Sequence, residues 1–294
     1  MKFYLPDFDN LLHLNLSVLR LQHYHPEYFY EGIEIDALYG TFPGAIWNGG
    51  RLLCGSTSST NMKEIISLLN NDGISLRYTY TNPLLEEKHL YDTYCNMTME
   101  LANNGMNEVI INSPLLEEYL REKYPNFKYI LSTTRCERDL NKINEATEKY
   151  DLVVIDYRDN YNFDFLEGIK NKDKIELLIN AYCHPNCKLR QKHYETIAKH
   201  QLNFEMMNPE TDGELAGGCP TYRRGFYDIL EFPSVIKVDD LYGKYTDMGF
   251  SHFKIEGRTM PIAQVLESYI YYLIKPEYQN QARLTLLSQC IKGG

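Results

Sequence analysis

Cysteine is the residue type with the most distinctive chemistry in this chain, which contains seven of them. Cys183 and Cys187 stand four positions apart, and Cys219 follows within a segment that contains glycine and proline. Cys54 stands much earlier in the chain, and Cys136 lies between these groups. Thiolates that meet at one site select zinc or an iron–sulfur cluster. The sequence therefore predicts a metal site, with scattered reduced thiols as the alternative.

The spacing of the cysteines narrows the kind of site. Cys183 and Cys187 lack the two-residue separation of a zinc ribbon. Arg190 stands where a radical-SAM motif would need its third cysteine. Cys95 falls on the apolar face of a predicted helix, so we expect it in the core. His184, next to Cys183, is a metal ligand, a proton shuttle or neither.

A charged pattern of Lys254, Glu256 and Arg258 occupies the end of the last predicted strand. Alternate residues of a strand share a side, so we expect Lys254 and Glu256 to face the barrel interior near its mouth. Buried charges are costly unless they are paired or used. We therefore assign these two residues to catalysis, with a structural ion pair as the alternative. Arg258 is assigned to gripping a substrate carboxylate or phosphate.

Two aspartates, Asp36 and Asp156, fall near the ends of predicted strands. A carboxylate in such a position is a candidate general base, while a buried and hydrogen-bonded aspartate is the equal alternative. Of the two, Asp36 is kept as the candidate catalytic residue.

The loop of residues 40–51 is rich in glycine and contains the only tryptophan of the chain. Glycine permits close approach of a ligand to the backbone, Trp47 offers a stacking plane and Arg51 offers an anion clamp. The loop lacks the Gly-Lys-Ser/Thr ending of a phosphate-binding loop. We predict that Trp47, Asn48 and Arg51 bind substrate, with a packed structural loop as the alternative.

The elements that position these residues alternate between short β-type runs and helical patterns, which is typical of parallel β/α architecture. Eight strands are predicted, the number that closes a (β/α)8 TIM-type barrel without edge strands. They are Ile33 to Leu38, Ser75 to Tyr80, Glu108 to Ile111, Lys128 to Ser132, Leu152 to Asp156, Glu176 to Asn180, Ser234 to Val238 and His252 to Ile255. Chemistry in such barrels sits at the C-terminal ends of the strands, where these cysteines fall.

The length of 294 residues suits one barrel domain over residues 1–294, because a closed α/β barrel takes roughly 250 residues. An irregular segment, residues 202–226, follows the sixth predicted strand and is expected to be an insertion. Long insertions are often functional. The prediction is a single barrel, regular or irregular, that carries this insertion.

Acidic residues outnumber basic ones by 40 to 30, which gives a net charge of −10. This charge disfavours bulk binding to nucleic acid, although a local basic mouth is compatible with an anionic ligand. The first ten residues show no signal-peptide pattern, and no run approaches the roughly 18 apolar residues of a membrane span. We therefore expect a cytoplasmic protein without a membrane span.

The run from Gly249 to Arg258, with Lys-Ile-Glu-Gly-Arg at its end, resembles a segment of the collagenase-like peptidase family U32. The order of elements from Ile33 to Leu273 is similar as well. The resemblance is closest to the family members of oxygen-independent ubiquinone hydroxylation, UbiU and UbiV. It implies a barrel in which four cysteines hold a 4Fe–4S cluster, with zinc as the alternative metal.

By this resemblance the cluster ligands are Cys54, Cys183, Cys187 and Cys219, and Cys136 is the substitute for Cys54. The implied function is oxygen-independent hydroxylation, or a related redox modification, of a small molecule, RNA or peptide. The substrate is expected to be anionic. A heterodimer with a related barrel protein is the implied partnership, because UbiU and UbiV pair.

Two other hypotheses stay open. The family's peptidase label implies a hydrolase, but the sequence shows no serine, histidine and acid at recognisable spacing and no His-Glu-x-x-His helix. The third hypothesis is a non-catalytic subunit that carries a cluster and docks on a second protein.

Overall fold

Eight parallel strands pair in chain order, and the last strand pairs with the first. This computed structural model describes residues 1–215 and 225–292. Its strands are β1 Lys2–Pro6, β2 Glu34–Gly40, β3 Ser75–Tyr80, β4 Glu108–Ile111, β5 Lys128–Leu131, β6 Leu152–Val154, β7 Ile175–Leu178 and β8 His252–Lys254. The closed sheet confirms the predicted (β/α)8 TIM-type barrel.

Helices lie between the strands and cover the outside of the barrel. They are α1 Leu12–Tyr24, α2 Ser59–Asn71, α3 Glu87–Leu90, α4 Thr93–Ala102, α5 Pro114–Lys123, α6 Leu140–Lys149, α7 Phe163–Glu167, α8 Arg190–Asn203, α9 Pro209–Asp212, α10 Phe226–Ile229, α11 Val238–Asp240, α12 Ile262–Leu273 and α13 Gln279–Lys292. Local sequence sets several starts. The Ser113 side chain, for example, accepts a hydrogen bond from the Leu116 amide, and Pro114 fits the first turn of α5.

The strands separate two kinds of core, because successive residues face opposite sides of the sheet. Phe3 and Leu5 of β1 join the large apolar cluster that the surrounding helices also line. Tyr4, between them, belongs instead to a small cluster with Tyr39 and Ile110. That small cluster fills the inside of the barrel, so the barrel is a packed core and not an open pore.

Charged residues also lie inside the barrel, in contact with the small apolar cluster. The Arg77 Nε donates to the Glu108 Oε2 at 2.5 Å, and its Nη1 pairs with Glu176. The guanidinium carbon stands 3.7 Å from the centre of the Tyr4 ring. We call Arg77, Glu108 and Glu176 the interior ion cluster. Burial would lower the pKa of Arg77, but the two carboxylates outweigh it and raise that pKa, so Arg77 stays charged.

The predicted number of strands was right, but one predicted strand is not a strand and one strand of the barrel was missed. Lys2–Pro6 forms β1 and was missed, because a short terminal run that ends in proline carries little periodic signal. The run of residues 234–238 was predicted as a strand, but residues 234–237 form a largely buried connection and Val238 begins α11. Val235 and Ile236 are fully buried there, so the segment is as apolar as a strand without being paired as one.

Because β1 was missed, the insertion placed after the sixth predicted strand follows β7. Of the predicted insertion, residues 202–215 and 225–226 are described; its first two residues belong to the end of α8, and Phe226 begins α10. Cys219, a predicted metal ligand, lies outside the described residues. None of the helices within residues 1–215 and 225–292 combines the length and apolarity needed to cross a membrane.

Candidate functional site

A cavity of about 480 Å³ opens at the C-terminal ends of the strands, the end of a barrel where ligands bind. We call it the mouth cavity. Its floor is formed by inward-facing residues of the barrel, such as Tyr39, Ile110 and Lys254, and its wall by the loops after the strands. Its volume lies within the range of small-molecule sites, roughly 300–1,000 Å³.

Positive charge dominates the lining of the mouth cavity. The cationic side chains are Arg51, Arg190, Lys254 and Arg258. Among the described residues that line the cavity, Glu256 is the only carboxylate. A chain with a net charge of −10 therefore presents a locally cationic pocket, which favours an anionic ligand.

Lys254 ends β8 with its side chain turned into the barrel, as the alternation of the strand predicted. Its Nζ stands 3.4 Å from the Glu176 Oε1 and 3.9 Å from the centre of the Tyr39 ring. Burial lowers the pKa of Lys254 to about 8, against the opposing effect of Glu176. A lysine with this pKa exchanges protons near neutral pH, which a solvated lysine does not.

Glu256 ties the β8 loop to the β7 loop and to Arg51. Its carboxylate pairs with Arg51 and accepts a hydrogen bond from the Tyr182 amide at 3.0 Å. Its own amide donates to the Asn180 Oδ1 at 2.6 Å, and Asn180 Nδ2 donates back to the Glu256 carbonyl at 3.1 Å. Glu256 therefore holds in place the part of the cavity wall that contains Tyr182 and the next residue, Cys183.

Arg258 is buried at the edge of the cavity and is held by neutral oxygens. Its Nη1 donates to the Asn48 Oδ1 at 3.0 Å and to the Thr79 Oγ1 at 2.7 Å, and its Nη2 donates to the Gly49 carbonyl at 2.9 Å. Asn48 also donates from Nδ2 to the Arg51 carbonyl at 2.6 Å. Asn48 is fully buried and does not line the cavity, so its role is to position the two arginines.

The glycines of the loop after β2 allow this arrangement. A side chain at Gly49 would bring its Cβ within 2.5 Å of the Thr81 backbone, and Gly50 has a φ of +75°. Gln201 of α8 anchors the same loop, since its Oε1 accepts from the Leu53 amide at 2.9 Å and its Nε2 donates to the Leu53 carbonyl at 3.0 Å. Helix α8 thus holds the Arg51 loop in place.

Arg190 was missed as a site residue. In the sequence it was considered only because it occupies the position where a radical-SAM motif would have its third cysteine. It lines the cavity from the start of α8, and its Nη1 donates to the Asp156 Oδ2 at 2.5 Å. Asp156 is buried behind it and also pairs with Arg158 at 2.7 Å. Asp156 therefore matches the alternative to a general base, because it is a buried, hydrogen-bonded carboxylate that holds Arg190 in place.

Cys183 and Cys187, both predicted metal ligands, lie on the wall of the mouth cavity. Tyr157 stands beside the Cys183 thiol, and burial raises the pKa of Cys183 to about 11. Cys54 is exposed, lies off the cavity lining and donates to the Met206 sulfur at 3.5 Å. Cys136 is half-buried beside Arg190, also off the lining.

These thiols fit a thiolate-bound group in part. Iron–sulfur clusters are held by cysteine thiolates, and two thiols share one wall here. Within the described portion of the chain, no group of three histidine, cysteine, aspartate or glutamate side chains is arranged to hold a metal ion. A cluster held by four cysteines would therefore need Cys219 and one further thiol in addition to Cys183 and Cys187.

Two other predicted site residues lie away from the mouth cavity. Trp47 is fully buried, donates from Nε1 to the His89 carbonyl at 2.7 Å and packs edge-on against Tyr80, so it belongs to the core. Asp36 is the third residue of β2, near its N-terminal end, and its Oδ1 pairs with the Lys2 Nζ at 2.7 Å. Neither of them lines the mouth cavity.

Comparison with known proteins supports the fold. The solved structure of the U32 peptidase Mk0906 is similar to this chain, with a TM-score of 0.55, 14% sequence identity and coverage of 89% of this chain and 94% of that one. No protein-family model matches the chain, and no curated protein matches it. The comparison thus shows a barrel fold shared with that U32 peptidase.

Proposed function

We propose that this chain is an enzyme of the U32 type that binds an anionic substrate in the mouth cavity, beside an iron–sulfur cluster. One observation carries the proposal. Cys183 and Cys187 share the cavity wall with Lys254, Arg51 and Arg258. A soft metal-binding pair and an anion-binding group therefore face the same small volume at the catalytic end of the barrel.

The anionic character of the substrate follows from the lining. Arg258 and Arg51 are fixed by hydrogen bonds before any ligand arrives, so they lose little side-chain entropy on binding. The Thr81 hydroxyl lines the same cavity, is buried and has no hydrogen-bond partner among the described residues. It adds a polar contact for an oxygen-rich ligand.

The cluster would be held by Cys183, Cys187, Cys219 and a fourth thiol. Cys219 follows Leu215, which lines the cavity, by four residues, a separation that an extended chain spans in at most about 14 Å. The fourth thiol is Cys54 or Cys136. Zinc remains the alternative metal, because it takes the same ligands.

When bound, the cluster would supply electron transfer for an oxygen-independent hydroxylation or a related redox modification. The residues of the chain have separate tasks. Arg258 and Arg51 orient the anionic group, Lys254 holds or releases a proton at Nζ, and Glu256 keeps the cysteine-bearing wall in register.

The test is metal analysis of protein purified without oxygen. We expect brown protein with about four iron and four sulfide per chain, and loss of most iron in Cys183→Ala, Cys187→Ala and Cys219→Ala. Cys95→Ala is the matched control, because Cys95 is buried in α4 away from the cavity. Colourless protein without iron would overturn the cluster, and bound zinc would select the alternative.

Cys54→Ala and Cys136→Ala separate the two candidates for the fourth ligand. The variant of the true ligand should lose iron or shift the absorption of the cluster, while the other should match the Cys95→Ala control. If neither variant differs from the control, the fourth ligand is not a thiol of this pair.

Peptidase activity is the second candidate function, favoured by the fold shared with a U32 peptidase. Across residues 1–215 and 225–292, no serine or cysteine side chain hydrogen-bonds a histidine ring, which leaves a hydrolase without an evident activated nucleophile there. Cleavage of a peptide panel that survives removal of all iron, and fails in Lys254→Met, would favour this candidate.

A further inference from the structure

Lys254 occupies an unusual position for a lysine. It ends β8, its side chain is about nine-tenths buried, and its Nζ still reaches the mouth cavity. The Tyr39 ring covers one side of the ammonium head at 3.9 Å. The amine is therefore shielded from bulk water yet accessible to a ligand in the cavity.

The charges around this amine act on its pKa in opposite directions. The charged and titratable groups that face it are Glu176 of β7, Arg77 of β3, Arg258 after β8, and Tyr39 of β2. Glu176 is the one carboxylate among these groups, and it is shared with Arg77, which it contacts more closely than the 3.4 Å that separates it from Lys254. Burial is the largest effect and lowers the pKa of Lys254, Arg77 and Arg258 lower it further, and Glu176 raises it, so that the pKa is about 8.

We propose that Lys254 is an amine nucleophile that forms an imine with an aldehyde or ketone whose anionic group is bound by the arginines of the mouth cavity. The inference rests on the anion-binding part of the proposed function and is independent of the cluster. Desolvated lysines in largely apolar pockets are the ones that attack carbonyl groups. Lys254 meets that condition by its burial, its aromatic neighbour and its access to the cavity.

The chemistry balances without any redox partner. The lone pair of the neutral amine forms a bond to the carbonyl carbon, and the carbonyl oxygen becomes the hydroxyl of a carbinolamine. The carbon–oxygen bond then breaks, and the oxygen leaves as water with the two amine hydrogens. The Glu176 Oε1, 3.4 Å from Nζ, is placed to accept a proton from the nitrogen and to return it to the departing oxygen.

The experiment uses pyridoxal 5′-phosphate, an aldehyde with an anionic group, as the probe. Purified protein is incubated with the probe, the imine is reduced with borohydride, and the modified lysines are identified by peptide mass spectrometry. At pH 7.5 we expect Lys254 to be modified at least about tenfold faster than the exposed Lys63, because much more of its amine is neutral. The rate should level off above about pH 8.

Labelling of Lys254 no faster than Lys63 would overturn the proposal. Lys254→Arg keeps a cation at this position and should lose the adduct, which controls for misassigned peptides. Pyridoxal, which lacks the phosphate, separates the two proposals. Equal labelling of Lys254 by both aldehydes would support Lys254 as a nucleophile and would contradict the proposal that the mouth cavity binds an anionic group. Labelling that persists in iron-free protein would show that it does not depend on the cluster.

Discussion

The interior of the barrel and its mouth both bury arginine, but they hold it in different ways. Inside, Arg77 lies between the carboxylates of Glu108 and Glu176, so the positive charge is balanced by the fold. At the mouth, Arg258 donates to the neutral oxygens of Asn48, Thr79 and Gly49. The first arrangement binds the protein to itself, whereas the second keeps positive charge directed at a cavity.

The difference indicates where function lies. When carboxylates pair with a buried cation, they cancel most of its electrostatic field, and removing the cation destabilises the fold. A buried charge that lines a cavity acts on a ligand bound there. Lys254 lies at the boundary, because it contacts Glu176 of the interior ion cluster and also lines the mouth cavity.

The largest expected effect is on stability, from Arg77→Met. The variant removes the cation that Glu108 and Glu176 share and leaves them only the more distant Lys128 and Lys254, so the free energy of unfolding should fall by about 3–5 kcal/mol. Denaturant unfolding measures it. Arg20→Met is the control, since Arg20 is exposed and its loss should cost less than about 0.5 kcal/mol. A loss below about 1.5 kcal/mol for Arg77→Met would mean that the interior ion cluster is dispensable.

Arg258→Gln should have the next largest effect, and it should fall on binding. We expect the affinity for pyridoxine 5′-phosphate, which has the anion but no aldehyde, to drop about 10- to 100-fold, as expected for a lost charge-assisted contact. Equilibrium dialysis measures the affinity. The free energy of unfolding should fall less than in Arg77→Met, because neutral acceptors remain. If Arg258→Gln lowered the free energy of unfolding strongly and left the affinity nearly unchanged, the proposed difference between the interior and the mouth would be wrong.

The lowered pKa of Lys254 predicts that the free energy of unfolding depends on pH. The pKa of Lys254 is about 8 in the folded protein and 10.5 when unperturbed, so the unfolded chain binds more protons between these values. The contribution of Lys254 to the free energy of unfolding therefore rises with pH across this window, by no more than about 1.4 kcal/mol per pH unit. Lys254→Met should remove that slope in urea unfolding from pH 7.5 to 10. An unchanged slope would place Lys254 in an ordinary solvated environment.

Trp47→Phe should have the smallest effect, and only on stability. It removes the hydrogen bond from Nε1 to the His89 carbonyl and some packing against Tyr80, so we expect a loss of about 1–2 kcal/mol. The affinity for pyridoxine 5′-phosphate should stay within twofold. A large loss of affinity with unchanged stability would restore the stacking role that the sequence predicted for Trp47.

Much of the mouth was predictable from the sequence. Alternation along β8 correctly placed Lys254 and Glu256 on one side, and the position of Cys183 and Cys187 after a strand correctly placed both at the C-terminal end. The burial of Trp47 was not predictable, because residue type does not tell a buried indole from an exposed one. Arg190 was missed because its partner, Asp156, is 34 positions away in the chain.

The sequence by itself determined the alternation of strands and helices, the closed barrel and the strand ends at which chemistry gathers, because these follow from local periodicity and chain order. The tertiary structure alone decided which charges lie wholly inside the fold and which line a cavity. Arg77 and Arg258 carry the same side chain, and only the residues brought to them by barrel closure make one a support of the fold and the other part of a binding site.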